Sequence, residues 1–468
     1  MLTEIIVLIT AFTLMFVDLF LKRETRYFLM SIPLGGLALA FISVFFLSNR
    51  KSFGGQFSLE NIDLWLKVFF ILCAFVIVIA SFSFILGESK ETCHKKQIYS
   101  FEFLTILLFN LSGMLFLVSA RDLLTLYVSL ELSTLPLFIL TAWKRDALSS
   151  EAGLKYVVLG ALASALLLLG FSIFYGLTGT MDLVLIGRSI NVSPLFWFAS
   201  ALVISAIGFK LTLVPFHMWA PDVYQGAPTV VTAYLSVASK GAGLVLMFQI
   251  FFRIFDISSF YFAIALLSAL TMTLGNVVAI VQENIKRFMC FSAISQAGYL
   301  IMGFLGGFNA NSQAVPSLVF YLFAYGITNL VVFLVVIWFI DQTGKENIKD
   351  FQGLSRTHPL IALSMMIGLF GLAGIPPLSG FIGKFFLFSV AASSGFYWLV
   401  AVAAINSVIS LYYYLRIVRQ MYIEPVLETT TFSMNLSTRC VLGSLVIASV
   451  LLGLVPVFYE TILWTWKN

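Results

Sequence analysis

The sequence predicts an all-α membrane protein that crosses the bilayer about fourteen times. Hydrophobic residues make up 60% of the 468 residues, charged residues make up only 10%, and the mean hydropathy is +1.01. The apolar residues form runs of roughly 20, the length that a helix needs to cross the hydrocarbon core. Short polar segments separate the runs, so the chain has no room for a soluble nucleotide-binding domain.

The apolar runs define the predicted spans in order along the chain. They cover residues 3–21, 28–48, 62–86, 99–119, 122–142, 153–177, 195–218, 228–252, 258–282, 287–307, 314–340, 358–392, 396–423 and 439–465. The first span has Glu4 as its only charge before Asp18, and basic residues follow it, which predicts an uncleaved signal anchor. The longest polar connections lie near 87–98, 178–193, 341–357 and 424–438.

The lysine and arginine residues of the loops predict the orientation. If the N-terminus faces outward, 17 of the 27 basic residues lie on the inner side and 7, among them Lys67, lie on the outer side. Because basic residues concentrate in cytoplasmic loops, both termini are expected to face outward.

The composition excludes several other classes of protein. Four cysteines lie far apart and the chain has only three histidines, so no haem, iron–sulfur or zinc site is predicted. No glycine-rich phosphate loop follows a strand pattern. The net charge of +5 is ordinary for a membrane protein, so we expect the lipid bilayer and no nucleic acid among the partners.

Three basic residues fall inside predicted spans: Lys210, Lys240 and Lys384. One carboxylate joins them, Glu131 in the fifth span. A lysine at the centre of a membrane helix costs about 2.5–3.5 kcal/mol, so each position requires a reason.

Two interpretations of these four residues stay open. The lysines could extend to the membrane surface, and Glu131 could be a neutral acid bonded to a helix carbonyl. Alternatively, the four residues form a line of ionisable groups that pass protons. Opposite charges 4 Å apart attract by about 4 kcal/mol at an effective dielectric of about 20. Movement of Glu131 towards or away from Lys210 would then decide whether that lysine keeps its proton. This pairing of Glu131 with Lys210 is a hypothesis.

Helix-breaking residues accompany the lysines. Pro215 interrupts the seventh span in "GFKLTLVPFHMWAPDVYQGAPT", and Pro376 and Pro377 interrupt the twelfth. Gly241 and Gly243 follow the lysine of the eighth span in "ASKGAGL". Backbone groups freed at membrane depth are tolerated only where protein or water covers them, so these breaks predict polar pockets.

The positions of the breaks predict an internal repeat. Interrupted helices in corresponding halves are typical of transporters with inverted repeats. Spans 4–8 and 9–13 would form two inverted five-helix repeats, with the broken spans 7 and 12 as their fourth members. The predicted divisions are 1–98 (three spans), 99–254, 255–424 and 425–468 (one span).

Other polar residues near the breaks have a structural and a functional interpretation. His217 follows Lys210 by two turns and is either a hydrogen-bonded structural group or a proton relay. Lys286 and Arg287 are interpreted as orientation charges in a short loop. Asp222 is expected to cap or order the loop that leads into the eighth span.

These segments resemble a known family. The stretches "PFHMWAPDVYQGAP", "ASKGAG", "NIKRFMCFSAISQAGYL" and "LAGIPPLSGFIGKFFLF" are similar to those of the antiporter-like membrane subunits of respiratory complex I, the NADH–quinone oxidoreductase. The resemblance covers essentially the whole chain, and the first stretch is typical of the N-type branch. Related sodium/proton antiporters of the Mrp type share the fold but resemble the L- and M-type branches more.

The resemblance implies roles for the residues named above. Glu131 and Lys210 match the fifth-span glutamate and its partner lysine, Lys240 matches the central lysine, and Lys384 matches the lysine near the exit route. His217 matches a histidine of the family's hydrophilic axis.

One position departs from the family. Gln296 stands where many members have a histidine, so a proton relay at this position would depend on hydrogen bonds or water.

The resemblance also implies where the redox chemistry occurs. NADH, FMN, iron–sulfur clusters and quinone are expected in partner subunits, and no cofactor is expected in this chain. The expected partners are the other membrane-arm subunits, including further antiporter-like ones, in a bacterial inner membrane with both termini on the periplasmic side. The alternatives are a cation/proton antiporter of the Mrp type, a membrane subunit of a related hydrogenase complex, and a structural membrane scaffold.

Overall fold

The computed structural model describes residues 1–20, 29–46, 55–86, 100–255, 257–307, 313–425, 432–455 and 457–467. This part of the chain is almost entirely helical and contains three isolated β-bridges but no β-strand. The predicted all-α class is therefore confirmed. Several predicted loop charges lie outside the described residues: Lys22, Arg23, Arg26, Arg50, Lys51, Lys90, Lys95 and Lys96.

The main helices follow one another with short connections. In chain order they are α1 Leu2–Phe20, α2 Ser31–Val44, α3 Asn61–Ala80, α4 Ser100–Ser119, α5 Leu123–Leu132, α6 Leu135–Thr141, α7 Ala147–Thr178, α8 Leu183–Ser189, α9 Pro194–Leu211, α10 Ala220–Gly226, α11 Thr229–Tyr234, α12 Lys240–Arg253, α13 Tyr261–Ile280, α14 Ile285–Met302, α15 Ala314–Thr343, α16 Pro359–Ala373, α17 Ser379–Ser393, α18 Tyr397–Tyr422, α19 Leu436–Leu454 and α20 Val457–Lys467.

Twelve helical segments of the described residues are long and apolar enough to cross a membrane. Three shorter apolar helices, α2, α16 and α17, lie at the positions of the predicted second and twelfth spans. The chain is therefore a multi-pass membrane protein.

Three segments form the centre of the bundle: α11 with α12, α14, and α15. The most apolar 18-residue stretches of these three segments are 94%, 100% and 94% buried, respectively. Peripheral helices instead expose large apolar side chains, such as Leu154, Val158 and Leu162 of α7. A helix that is apolar on all sides suits either the centre of a bundle or contact with lipid, and both occur here.

Both predicted breaks are present. α9 ends at Leu211 and α10 begins at Ala220, with Pro215 between them. α16 ends at Ala373 and α17 begins at Ser379, with Pro376 and Pro377 between them. Proline lacks the N–H group that continues a helix, which accounts for both interruptions.

Three further interruptions were not predicted. The fifth predicted span divides into α5 and α6 just before Pro136. A π-helical turn, Leu235–Ser239, separates α11 from α12.

The third interruption shows that the predicted continuous span 439–465 is wrong. α19 ends at Leu454, and Val455 is extended, which is the preferred conformation of a residue that precedes a proline. α20 packs separately against α3, where Trp65 Nε1 donates to Thr465 Oγ1 at 3.0 Å.

Two short backbone pairings have the same form. Leu123 N–H donates to Met181 O at 3.0 Å, and Leu183 N–H donates to Arg121 O at 3.1 Å. The second pairing joins Ile285 N–H to Glu346 O and Ile348 N–H to Glu283 O, both at 2.8 Å. Each pairing ties the start of one membrane helix, α5 or α14, to the segment that follows the next long helix, α7 or α15.

Candidate functional site

Lys210 lies in the last turn of α9 and is 5% exposed. Its ammonium donates a hydrogen bond of 2.7 Å to Thr134 Oγ1, at the junction of α5 and α6. Its aliphatic stem lies against Gly243 of α12, where a Cβ atom would be 3.2 Å from Lys210 Cγ. The glycine therefore permits close packing of α9 and α12, rather than the loosened turn that the sequence suggested.

Glu131 lies at the end of α5, half-buried, and accepts a hydrogen bond from Ser164 Oγ of α7. In the part of the chain that the structure describes, its carboxylate makes no ion pair with Lys210. Thr134, one turn after Glu131, receives the hydrogen bond of the lysine in place of the carboxylate.

Lys240 begins α12 directly after the π-helical turn and is 2% exposed. Its ammonium donates to Thr212 Oγ1 at 2.8 Å and to the carbonyl of Ala293 in α14. Thr212 ends α9 in the left-handed conformation, with φ of 59°. The break after α9 therefore provides the hydroxyl group that holds the central lysine.

Lys384 lies in α17 and is 4% exposed. Its ammonium donates to Leu372 O and Ala373 O, both at 3.0 Å, and lies 4.6 Å from the centre of the Tyr299 ring. The two carbonyls end α16 and have no partner in a continuing helix, because the chain breaks there. Gly374, with φ of +86°, leaves the space that the lysine occupies.

The three lysines share one structural feature. Each is bonded to oxygen atoms at a break in another helical segment: Thr134 between α5 and α6, Thr212 after α9, and Leu372 with Ala373 at the end of α16. None of the three extends to the surface, since all are at most 5% exposed. The snorkelling interpretation of these lysines is therefore wrong.

His217 lies within the break between α9 and α10 and is 6% exposed. Within the described residues, no hydrogen bond joins its ring to any of the three lysines or to Glu131. The structure therefore buries His217 in the segment that follows Lys210 but does not place it in direct contact with the other candidate residues.

Gln296 of α14 is the centre of a buried polar cluster. Its Nε2 atom donates to Leu372 O at 2.9 Å and to the Tyr414 hydroxyl at 3.4 Å. The Tyr321 hydroxyl donates to its Oε1 atom. The Tyr414 hydroxyl also bonds to Ser292 Oγ. Sequence patterns did not identify Tyr321, Tyr414 and Ser292 as members of this cluster, because the three residues lie in three separate helices.

For two other buried lysines, the structure differs from the interpretation based on the sequence. Lys67, assigned to the outer side of the membrane, lies in α3, is fully buried, and bonds Glu4 at 2.6 Å. Lys286, assigned to a loop as an orientation charge, is buried in the first turn of α14 and pairs with Glu346 at 2.7 Å. Both have a carboxylate partner, which distinguishes them from Lys240 and Lys384.

Asp222, which we expected to cap or order the loop that leads into the eighth span, is held there by two ion pairs. It lies in the first turn of α10 and forms ion pairs with Lys155 of α7 at 2.6 Å and with Arg287 of α14 at 2.9 Å. The hydrogen bond from Lys155, with that from Arg287, holds the pKa of the Asp222 carboxyl below its usual range. The carboxylate thus joins three helices at one end of the bundle.

Among the described residues, no group of three or more His, Cys, Asp or Glu side chains is arranged to hold a metal ion.

Comparison with known proteins identifies the class. Residues 120–410 match the family described as NADH:quinone oxidoreductase/Mrp antiporter, TM. This range contains all five predicted site residues. A chain of the Mrp complex from Dietzia has the same fold, with 21% identity, 97% of that chain and 100% of this one covered, and a TM-score of 0.85. The fold and the matched region therefore define an antiporter-like membrane subunit.

More similar relatives identify the branch. A protein named NADH-quinone oxidoreductase subunit N from Dehalococcoides mccartyi is 35% identical over 98% of this chain and 96% of its own length. The protein of the same name from Desulfitobacterium hafniense is 37% identical over 90% and 88%. A chain of respiratory complex I from Thermus thermophilus is 31% identical, with 97% of both chains covered and a TM-score of 0.82. The chain belongs to the subunit N family of NADH-quinone oxidoreductase.

Proposed function

We propose that this chain is a proton-translocating subunit of an NADH–quinone oxidoreductase. Protons pass through Glu131, Lys210, His217, Lys240 and Lys384, and electron transfer to quinone in other subunits drives the movement. The observation that carries the proposal is the set of three buried lysines, each bonded at a helix break.

The partners of the lysines suit proton transfer. Lys240 and Lys384 are bonded to hydroxyl and carbonyl oxygens, which carry no charge to neutralise an ammonium. Burial disfavours the charged form of a lysine, whereas hydrogen bonds to neutral oxygens favour it only moderately. Loss of the proton from either lysine would therefore leave no buried carboxylate without its partner, which suits a group that both accepts and releases protons.

The redox chemistry belongs to other subunits in this proposal. NADH, FMN, iron–sulfur clusters and quinone bind there, and this chain contributes only to proton movement. Its partners are the other membrane-arm subunits, including other antiporter-like subunits. The names of the relatives support this assignment, because they describe a subunit of a larger NADH–quinone oxidoreductase.

The proposed architecture has fourteen spans with two inverted five-helix repeats. The two matching backbone pairings support it. In the first half one pairing joins the start of α5 to the segment after α7, and in the second half the other joins the corresponding helix α14 to the segment after α15. The breaks after α9 and α16 occupy the same place in each half, and α7 and α15 both end at a left-handed glycine, Gly179 and Gly344. The proposed divisions are 1–98, 99–254, 255–424 and 425–468.

Both termini are proposed to face the periplasm. Glu4 near the start of α1 bonds Lys67, and Thr465 near the end of α20 bonds Trp65. Because Lys67 and Trp65 share one turn of α3, the first and last helices reach the same end of the bundle. The distribution of loop lysines and arginines supports the outward assignment of that end.

Proton pumping by the assembled complex tests the proposal. Inverted membrane vesicles with Lys240→Ala are supplied with NADH and quinone, and acidification is followed with a pH-sensitive dye. We expect pumping to fall by at least roughly ten-fold while the complex still assembles. Lys155→Ala is the matched control, because Lys155 is 40% exposed and lies outside the row of buried lysines.

Three outcomes would contradict the proposal. Unchanged pumping by Lys240→Ala would exclude the lysine from the proton route. Loss of the assembled complex would instead support the scaffold interpretation. An Mrp-type antiporter predicts sodium-dependent proton exchange without NADH, which the same vesicles would reveal.

A further inference from the structure

We infer that Gln296 is a positioning residue that connects the two buried lysines Lys240 and Lys384. The inference rests on the proposed function, because it names the group that lies between two residues of the proton route. Gln296 is 2% exposed, and its amide has partners from three other helices.

The link begins at Lys384. The Leu372 carbonyl accepts hydrogen bonds both from Lys384 Nζ at 3.0 Å and from Gln296 Nε2 at 2.9 Å. A carbonyl oxygen can only accept, so the amide must present its nitrogen on this side. One backbone oxygen at the end of α16 therefore joins the lysine to the glutamine.

The link continues towards Lys240 along α14. Gln296 Nε2 also donates to the Tyr414 hydroxyl, and that hydroxyl bonds to Ser292 Oγ, one helical turn before Gln296. Lys240 Nζ donates to the carbonyl of Ala293, the residue that follows Ser292. Lys240 is thus bonded to α14 within one turn of Gln296, and Lys384 is joined to Gln296 through the Leu372 carbonyl.

Tyr321 of α15 fixes the orientation of the amide. Tyr321 is 2% exposed, and its hydroxyl donates to Gln296 Oε1. With Oε1 directed at Tyr321, both N–H groups of the amide are directed at Leu372 O and Tyr414. The orientation is thus determined from both sides rather than by a single contact.

The amide itself does not hold the proton. When one proton passes between the lysines, one ammonium becomes a neutral amine and the other amine becomes an ammonium. Hydroxyl groups such as those of Ser292 and Tyr414 accept one hydrogen bond while they donate another, so they can pass a proton along. Gln296 keeps the Tyr414 hydroxyl beside the carbonyl that holds Lys384.

The test uses NADH-driven proton pumping by the assembled complex in inverted vesicles. Gln296→Leu keeps the side-chain size but removes the hydrogen bonds, and we expect pumping to fall by roughly ten-fold. Tyr414→Phe is expected to lower pumping similarly. Gln296→His supplies a ring that both donates and accepts, so it is expected to restore most of the activity.

Tyr234→Phe is the matched control. Tyr234 ends α11 and is as deeply buried as Tyr414, but its hydroxyl contacts Met114 Sδ of α4 at 3.7 Å and none of the residues of the link. We expect it to pump at the wild-type rate.

The outcomes separate this inference from the proposed function. If Lys240→Ala stops pumping but Gln296→Leu and Tyr414→Phe pump normally, the inference is overturned and the function stands. If Lys240→Ala itself pumps normally, the proposed function fails. Equal losses in Tyr234→Phe and Tyr414→Phe, without rescue by Gln296→His, would show a packing role and would also overturn the inference.

Discussion

Thr212 shows how a single residue connects helix geometry with the buried lysines. It has a φ of 59°, a conformation that β-branched residues rarely adopt. Such backbone strain costs of order 1–3 kcal/mol and persists where the surrounding structure requires it. Here the conformation ends α9 and turns the threonine hydroxyl towards Lys240, at 2.8 Å.

Replacement of Thr212 tests whether this hydroxyl matters for proton movement. Thr212→Val keeps the branched shape and removes the hydrogen bond to the ammonium, which is worth about 1.5–3 kcal/mol. We expect slower proton pumping, by roughly ten-fold or more, in a complex that still assembles. Thr212→Ser retains the hydroxyl and should pump at nearly the wild-type rate. Wild-type pumping by the valine variant, or equal damage in the serine variant, would contradict this role.

The sequence identified some buried charges and not others, for a physical reason. Lys210, Lys240 and Lys384 were evident because each interrupts an apolar run. Lys67 lies near the edge of its run, and its partner Glu4 is 63 residues away, so their pairing required the folded structure. The cluster around Gln296 was hidden for the same reason, since its partners belong to separate helices.

At the scale of helices, the break between α16 and α17 is held by direct backbone contact. A Cβ atom on Gly380 would lie 1.9 Å from Gly371 O, and one on Gly453 would lie 1.9 Å from Pro377 O. Real side chains do not approach a backbone atom so closely, so only glycine fits at these positions. The carbonyls that hold Lys384 belong to this tightly packed junction.

Gly380→Ala is therefore expected to disturb the junction. Overpacking of this kind costs about 1–3 kcal/mol or more, because the neighbouring backbone must move. We expect less assembled complex on a native gel and a lower melting temperature of the detergent-solubilised complex. Gly443→Ala in α19 is the control, since nothing lies within 4 Å of its added methyl group. Equal stability of the two variants would show that the junction yields easily.

The breaks themselves differ in how far the sequence predicts them. Pro215 and Pro376 indicated two of them correctly, because proline removes a backbone donor. The junction of α5 and α6 also contains a proline, Pro136, but only the structure shows that Thr134 there holds Lys210. The π-helical turn before Lys240 has no comparable residue signal.

At the scale of the whole molecule, three of the buried polar groups near the proposed proton route lie on the central helices. Lys240 belongs to α12, Gln296 to α14 and Tyr321 to α15, the segments that are almost entirely enclosed by protein. The hydrogen bonds of Gln296, and the bond from Lys240 to Ala293 O, each join one helix to another. An arrangement of this kind predicts that the lysines act one after the other, on a single route.

A double substitution distinguishes a single route from two separate routes. On a single route, Lys240→Ala and Lys384→Ala each interrupt the same transfer, so the double variant should pump no more slowly than the slower single variant. Residues that act as a unit show such non-additive effects. Two independent routes predict instead that each single variant keeps part of the pumping and that only the double variant loses it. Proton pumping is compared at matched amounts of assembled complex, with Lys155→Ala added to each single variant as the control for a second substitution. Because Lys155 lies outside the row of buried lysines, its removal should leave each single effect unchanged.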